Sequence, residues 1–408
     1  MKRIVLFIIF QWLNIKIVNS QVLLKLQDDS LIAYRFHNGD EFNTQNLDEG
    51  KWTNGLPWSR VIMSQDLAFI NGNVHQQDGL INFIALKKDS DYVLKSWEID
   101  SAYLKKNKLD LKENKFSVKY TAGCIVSKEK YHYGLYELRF KVEKGKGVWP
   151  AFWFYGGNKN EEIDGFELKC ERNNHIHVDT HCPYGCDNGY KNKLGLNTNW
   201  GGWLPVSNYL HNGFNVMMLE WQPHGLTWYI NGYPLAYFKG NFSNPMNLYL
   251  NTSVAKDGGA FKPGPDEKTK WPNNYYVDYF RAWKKISEDK EIILTKNNEF
   301  QLSQKFPANK NLEPLKKHGL LYNKKKLRKI NGYISLSFSS SNKLIIHTLG
   351  KINNRKTSFQ IKGITTGKVF DVTSSEIEKI VEIDSLDKEF QFIVNVNKKE
   401  FSKIIKLQ

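Results

Sequence analysis

An all-β fold, a sandwich or jelly roll, is what this 408-residue sequence predicts. Three observations carry it. From about residue 31 to 285, short β-branched and aromatic runs are split by Gly, Asn and Asp turns. No long segment repeats its apolar residues with helical period. Aromatics reach 14% while mean hydropathy is −0.52, which suits an extracellular β protein with exposed rings better than a helical bundle.

The strands follow in order. Leu80 to Leu86, Lys115 to Tyr120 and Tyr133 to Val142 show partial alternation. Val216 to Trp221 and Leu226 to Ile230 flank Gln222-Pro223-His224-Gly225, a hairpin signal, and Asn231-Gly232 marks another tight turn. Tyr275 to Trp283 closes the region. Residues 286–330 are rich in Lys and Asn, lack periodicity and read as a linker. Strands resume at Tyr333 to Phe338, Lys343 to His347, Phe359 to Lys362 and Phe390 to Val396, enough for a small second β-sandwich over 331–408. The length itself favours two domains, the first spanning 21–285.

Residues 1–20 read as a signal peptide: basic Lys2 and Arg3, an apolar run from Ile4 to Phe10, then Val18-Asn19-Ser20 before a cut ahead of Gln21. A buried first strand is the bland alternative. The run is too short to span a bilayer, so a secreted or cell-surface protein without a transmembrane segment is expected. The net charge is +16. Roughly +10 of it lies in 286–408 and only roughly +3 in 21–285, so charge describes the tail rather than the substrate. The run Lys324-Lys325-Lys326-Leu327-Arg328-Lys329 reads as a solvated linker rather than a nucleic-acid patch. Export permits disulfides among Cys124, Cys170, Cys182 and Cys186, and all three pairings stay open.

Chemistry is concentrated in Glu162-Ile163-Asp164-Gly165-Phe166-Glu167. Alternation puts Glu162 and Asp164 on one face of a strand and sends Glu167 to the other. One extra residue, a β-bulge at Gly165, would bring Glu167 back. Three carboxylates would then share a groove, and a facing pair about 5–5.5 Å apart is what a retaining glycosidase needs. A solvated acidic strand edge is the bland reading of the hexapeptide alone. Trp149 and Trp153, just upstream, offer a stacking platform for sugar rings, against ordinary core packing. His175, His177, Asp179 and His181 alternate with Ile176, Val178 and Thr180. Beside the acidic strand, His177 and His181 would reach the carboxylates or the sugar. Metal ligation is the weaker reading, since carboxylate glycosidases need no catalytic metal.

Tyr133-Gly134-Leu135-Tyr136-Glu137-Leu138-Arg139, then Gly147-Val148-Trp149-Pro150-Ala151-Phe152-Trp153, then the acidic hexapeptide, then Tyr276 to Trp283 resemble glycoside hydrolase family 16 in content and order. Phe42-Asn43, Lys51-Trp52 and Leu219-Glu220-Trp221-Gln222-Pro223 extend the resemblance over roughly 31–285. It implies a concanavalin-like jelly roll and a retaining, endo-acting hydrolase of a β-linked polysaccharide: β-1,3- or mixed-linkage glucan, or a marine galactan. It also implies Glu162 as nucleophile, Glu167 as acid/base with a proton-holding carboxyl, and Asp164 between them. No cofactor is implied for catalysis, but a structural calcium is, with Asp278 as one ligand. Gly165 stands where the family's glucanases carry a bulkier apolar residue. A lectin-like binder without turnover and a transglycosylase are the rival readings. Ile361-Lys362-Gly363 through Ser402-Lys403-Ile404-Ile405-Lys406 resembles a type IX secretion sorting domain, an Ig-like sandwich whose partner would be the secretion machinery.

Overall fold

The computed structural model describes residues 21–27, 30–157, 160–182, 200–288, 290–295, 307–309, 312–315, 331–339, 342–350, 357–373, 378–396 and 399–408. Residues 1–20, expected to be a signal peptide, the basic run 324–329 and Cys186 lie outside them. Among the described residues the fold is almost entirely β, with one short α-helix, Ser101–Asn107, capped by the Asp100 carboxylate. No helix among the described residues is long and apolar enough to cross a membrane.

Two sheets face each other across the main core. One has seven strands in the order Trp200–Pro205, His175–His181, Glu161–Glu167, Val148–Gly156, Met246–Val254, Cys124–Tyr131 and Trp52–Asn54. The other runs Tyr233–Phe238, Gly225–Ile230, Asn215–Gln222, Gly134–Val142, Asn273–Lys285 and Ser30–Asp40. Between them lie Phe140, Phe152, Phe154, Phe166, Trp221 and Trp228, all withdrawn from water. This is the jelly-roll sandwich that the alternation predicts. Inward residues of both sheets interleave, which leaves the outward face of the seven-stranded sheet free for a site.

The second sheet does not stop at Ser30–Asp40. Gln21–Gln27 pairs with that strand on one side and with Asn331–Phe338 on the other, carrying the sheet into the C-terminal part. Strand alternation splits Gln21–Gln27 between two cores. Val22, Leu24 and Leu26 pack with Ile334, Leu336, Phe359 and Phe392 of the C-terminal part. Leu23 packs with Leu135, Met218 and Trp283 of the first sandwich. Lys25, on the same side as Leu23, reaches Glu220 at 2.5 Å. Sequence places this strand at the head of the first domain, and the structure gives it to both.

Segment 286–330 also does more than link. Ile292–Leu294 adds a parallel edge to Lys399–Leu407 in the five-stranded C-terminal sheet. Leu312 is buried against the main core. Cys124 and Cys170 are free and buried, while Cys182 is disulfide-bonded, so none of the three two-bridge pairings forms.

Candidate active site

The acidic strand Glu161–Glu167 contains the expected bulge. Against Val148–Gly156, Phe152 pairs with Phe166 while Trp153 pairs with Asp164, which leaves Gly165 unpaired. Against His175–His181, the register slips between Asp164 and Glu167. Space is what requires glycine here. A Cβ at Gly165 would stand 2.4 Å from a Phe152 ring carbon and 2.9 Å from the Phe152 carbonyl oxygen. The Trp228 indole, from the opposite sheet, donates a 2.7 Å hydrogen bond to the Asp164 carbonyl and pins the bulge from below.

With Gly165 absorbed, Glu162, Asp164 and Glu167 face His181, Asp179 and His177 in register on the next strand. The contacts are close. His177 Nδ1 lies 3.4 Å from a Glu167 oxygen, and His181 Nε2 lies 3.4 Å from Asp164 Oδ2. Asp179 sits between the imidazoles, 4.0 Å from His177 and 3.9 Å from His181. Asp164 Oδ2 and His177 Nδ1 are buried, and these 3.4 Å ion-pair contacts are longer and less well aligned than ordinary hydrogen bonds.

Burial sets the charge states. It holds the Asp164 carboxyl well above the usual carboxylate range, reinforced by Glu162 and Glu167. Glu162 is pushed up to about 7 by burial and by Glu167 and Asp179, against the opposing pull of His181 and a hydrogen bond from Asp164. Asp179 is raised by burial. His181 resists its own burial and is pushed up to about 10, because Asp164, Glu162 and Asp179 surround it. At neutral pH Glu162 is poised between its two states beside an imidazolium at His181, and burial favours the protonated form of the Asp164 carboxyl. The groups titrate as a set. Sequence reasoning did not foresee the raised carboxyls of Glu162 and Asp179.

Above the carboxylates lies a cleft of about 400 Å³. Trp149, Trp153, His177 and His181 all line it, as do Glu162, Glu167 and Asp179. Trp149 stacks on Phe261 at 4.1 Å. Trp153 stacks on Tyr249 at 4.4 Å and donates to Asn251 at 2.8 Å. The outward ring faces follow from strand alternation, since Ala151, Trp153 and Tyr155 share the side of the acidic residues.

Residues 88–280 match the family model described as glycosyl hydrolases family 16. The sandwich belongs to this family. A keratan-sulfate endo-1,4-beta-galactosidase of Sphingobacterium multivorum is 29% identical over 210 residues, covering 47% of this chain and 44% of the relative. A beta-glucanase of Rhodothermus marinus is 27% identical over 191 residues, covering 40% and 63%. The chain thus spans less than two thirds of either relative. The catalytic domain of an endo-1,3-beta-glucanase (laminarinase) from Thermotoga petrophila RKU-1 superposes with a TM-score of 0.50 at 20% identity, covering 64% of this chain and all of that one. That likeness supports the jelly-roll fold.

Within this family 16 sandwich, several residues in and beside the cleft escape sequence reasoning. Trp58, from the loop before Val61, edges Trp153, Tyr155 and Tyr249 at 5.3–6.3 Å. Phe261 and Trp203 flank His177 at the other end. None sits in a recognisable motif; only their aromatic character was available as a signal.

Asp278 is the one ligand that the resemblance offers for a structural calcium. Asp278 is buried and ion-paired with Arg139 at 2.5 Å. A carboxylate already neutralised by a guanidinium is a poor calcium donor. Donor atoms of Glu162, Asp164 and His181 do lie within 4.8 Å of one another. Within that group His181 Nε2 already meets Asp164 Oδ2 at 3.4 Å.

Proposed function

We propose that this protein is an endo-acting, retaining β-glycosidase that hydrolyses a β-linked polysaccharide by double displacement. Glu162 attacks the anomeric carbon. Glu167 first protonates the departing glycosidic oxygen and then activates the water that releases the sugar. Asp164 holds a proton against Glu162 and tunes it. His181 counters the negative charge, and His177 orients Glu167. The observation that carries the reading is the bulge at Gly165, which sets three carboxylates on one face beneath an aromatic cleft.

A Glu162 poised near neutrality suits this chemistry. It ionises at working pH, and burial leaves it weakly solvated and therefore nucleophilic. The relatives named as acting on glucans and on keratan sulfate put β-glucans and galactans on the substrate panel. Export, the role proposed for residues 1–20, would fit a polymer too large to enter a cell.

The test is reducing-end release and product sizing on β-1,3-glucan, mixed-linkage glucan, agarose, carrageenan and keratan sulfate. The wild-type protein is expected to shorten at least one polymer, and Glu162→Gln to shorten none while still binding it. Turnover by Glu162→Gln at the wild-type rate would sink the assignment. Binding by the wild-type protein without any new reducing ends would make it a lectin.

A further inference from the structure

The cleft is electrostatically lopsided. At the Trp58 end its neighbours are rings and aliphatic side chains, with Leu56, Ile62 and Phe69 beside them. At the Glu167 end, just past His177 and Phe261, Trp203 carries two cations. The Arg172 guanidinium lies 5.2 Å from the indole centroid and the Lys169 ammonium 5.9 Å from it. Trp203 itself touches His177 at 4.9 Å and Phe261 at 5.6 Å, so it continues the aromatic lining outward from Glu167.

The two cations are held differently. Lys169 donates to the Lys262 carbonyl, next to Phe261, and lies 4.0 Å from a Glu171 oxygen. Glu171 in turn accepts from the Gly147 amide. Arg172 is exposed, and no carboxylate among the described residues pairs with it. Both follow the acidic strand directly, so the bulged strand that sets the carboxylates also sets their distance from Arg172. A guanidinium on an indole face keeps its in-plane N–H groups free for an anion.

We propose that Trp203, Arg172 and Lys169 form a subsite for a sugar bearing an anionic substituent, a sulfate ester or a carboxylate, beyond Glu167. The sugar ring lies on or beside the indole, and Arg172 meets the substituent. The centre of the cleft is lined by carboxyl groups and offers an anionic substituent few partners, whereas the cations at this end do. The inference rests on the glycosidase reading and names its substrate class.

Affinity electrophoresis tests it without turnover, using Glu162→Gln as background. The gels contain keratan sulfate, chemically desulfated keratan sulfate, carboxymethyl-curdlan or curdlan. Arg172→Gln is compared with Lys362→Gln, which removes one exposed charge from the distal C-terminal sheet. At least one anionic polymer is expected to retard the protein more than its neutral parent. Which one does so separates sulfate from carboxylate. Arg172→Gln is expected to weaken that retention about tenfold, the scale of one charge-assisted hydrogen bond, and Lys362→Gln to leave it. Equal retention by charged and neutral polymers, or equal loss in both variants, would overturn the subsite. If the preference appears but the wild-type protein cuts no polymer, the subsite stands and the glycosidase reading falls.

Discussion

Glu162 and Glu220 are both glutamates withdrawn from water on sheet strands, and they titrate in opposite directions. Glu220 meets the same burial cost, yet the Lys25 ammonium and the hydroxyls of Tyr34 and Tyr229 hold it below the usual carboxylate range. Its charge is fully answered, and it fastens the Gln21–Gln27 strand to the first sandwich. Glu162 has three acidic neighbours and one imidazolium, so part of its charge is unanswered. The difference is the partner set, not the burial. A satisfied buried carboxylate holds structure; an under-satisfied one in a cleft is available for chemistry.

The comparison can be broken from either side. The largest expected effect is on turnover. Glu162→Gln lowers kcat by a factor on the order of 10³ or more without loss of folded protein, while Glu220→Gln leaves kcat within a few-fold. Assays of both on one polymer decide it. Next comes stability. Lys25→Met leaves the Glu220 charge buried against two tyrosines and costs about 3–5 kcal/mol by denaturant unfolding. No loss there would mean the ion pair holds nothing.

Gly165→Ala is expected to cost about 1–3 kcal/mol, because its Cβ overlaps Phe152, and to lower kcat by shifting the carboxylates. The pH profile sharpens the contrast further. Only ionised Glu162 attacks, so kcat/KM falls as pH drops through about 7. His181 pulls the Glu162 pKa down and Asp179 pushes it up. His181→Ala therefore moves the acidic limb to higher pH, and Asp179→Asn moves it to lower pH. The smallest effect is thermal. Because folding raises the Glu162 pKa, its destabilising contribution is absent below about pH 4 and full above about pH 7. Glu162→Gln is expected to raise Tm by ~2–4 °C at pH 8 and not at pH 4.

Much of this was legible in the sequence because it is local. The spacing of Glu162, Asp164 and Glu167 requires a bulge, and Gly165 is the residue able to make one. The alternation from His175 to His181 announces a polar face of the right period. What was illegible depends on partners far along the chain. Asp278 reads as a free carboxylate until Arg139 is brought beside it. Gln21–Gln27 lies ahead of the first strand read from the sequence, and nothing in it says that its two faces serve two cores. Trp58, Trp203 and Phe261 lie alone in the sequence and meet the cleft only through the fold.

The roles of the two glutamates are tested most directly by azide rescue with an activated aryl β-glycoside. Glu162→Ala is expected to yield an α-glycosyl azide, since azide fills the space of the lost nucleophile. Glu167→Ala is expected to yield the β-azide, through an intact glycosyl-enzyme. The opposite assignment of anomers by NMR would contradict the account.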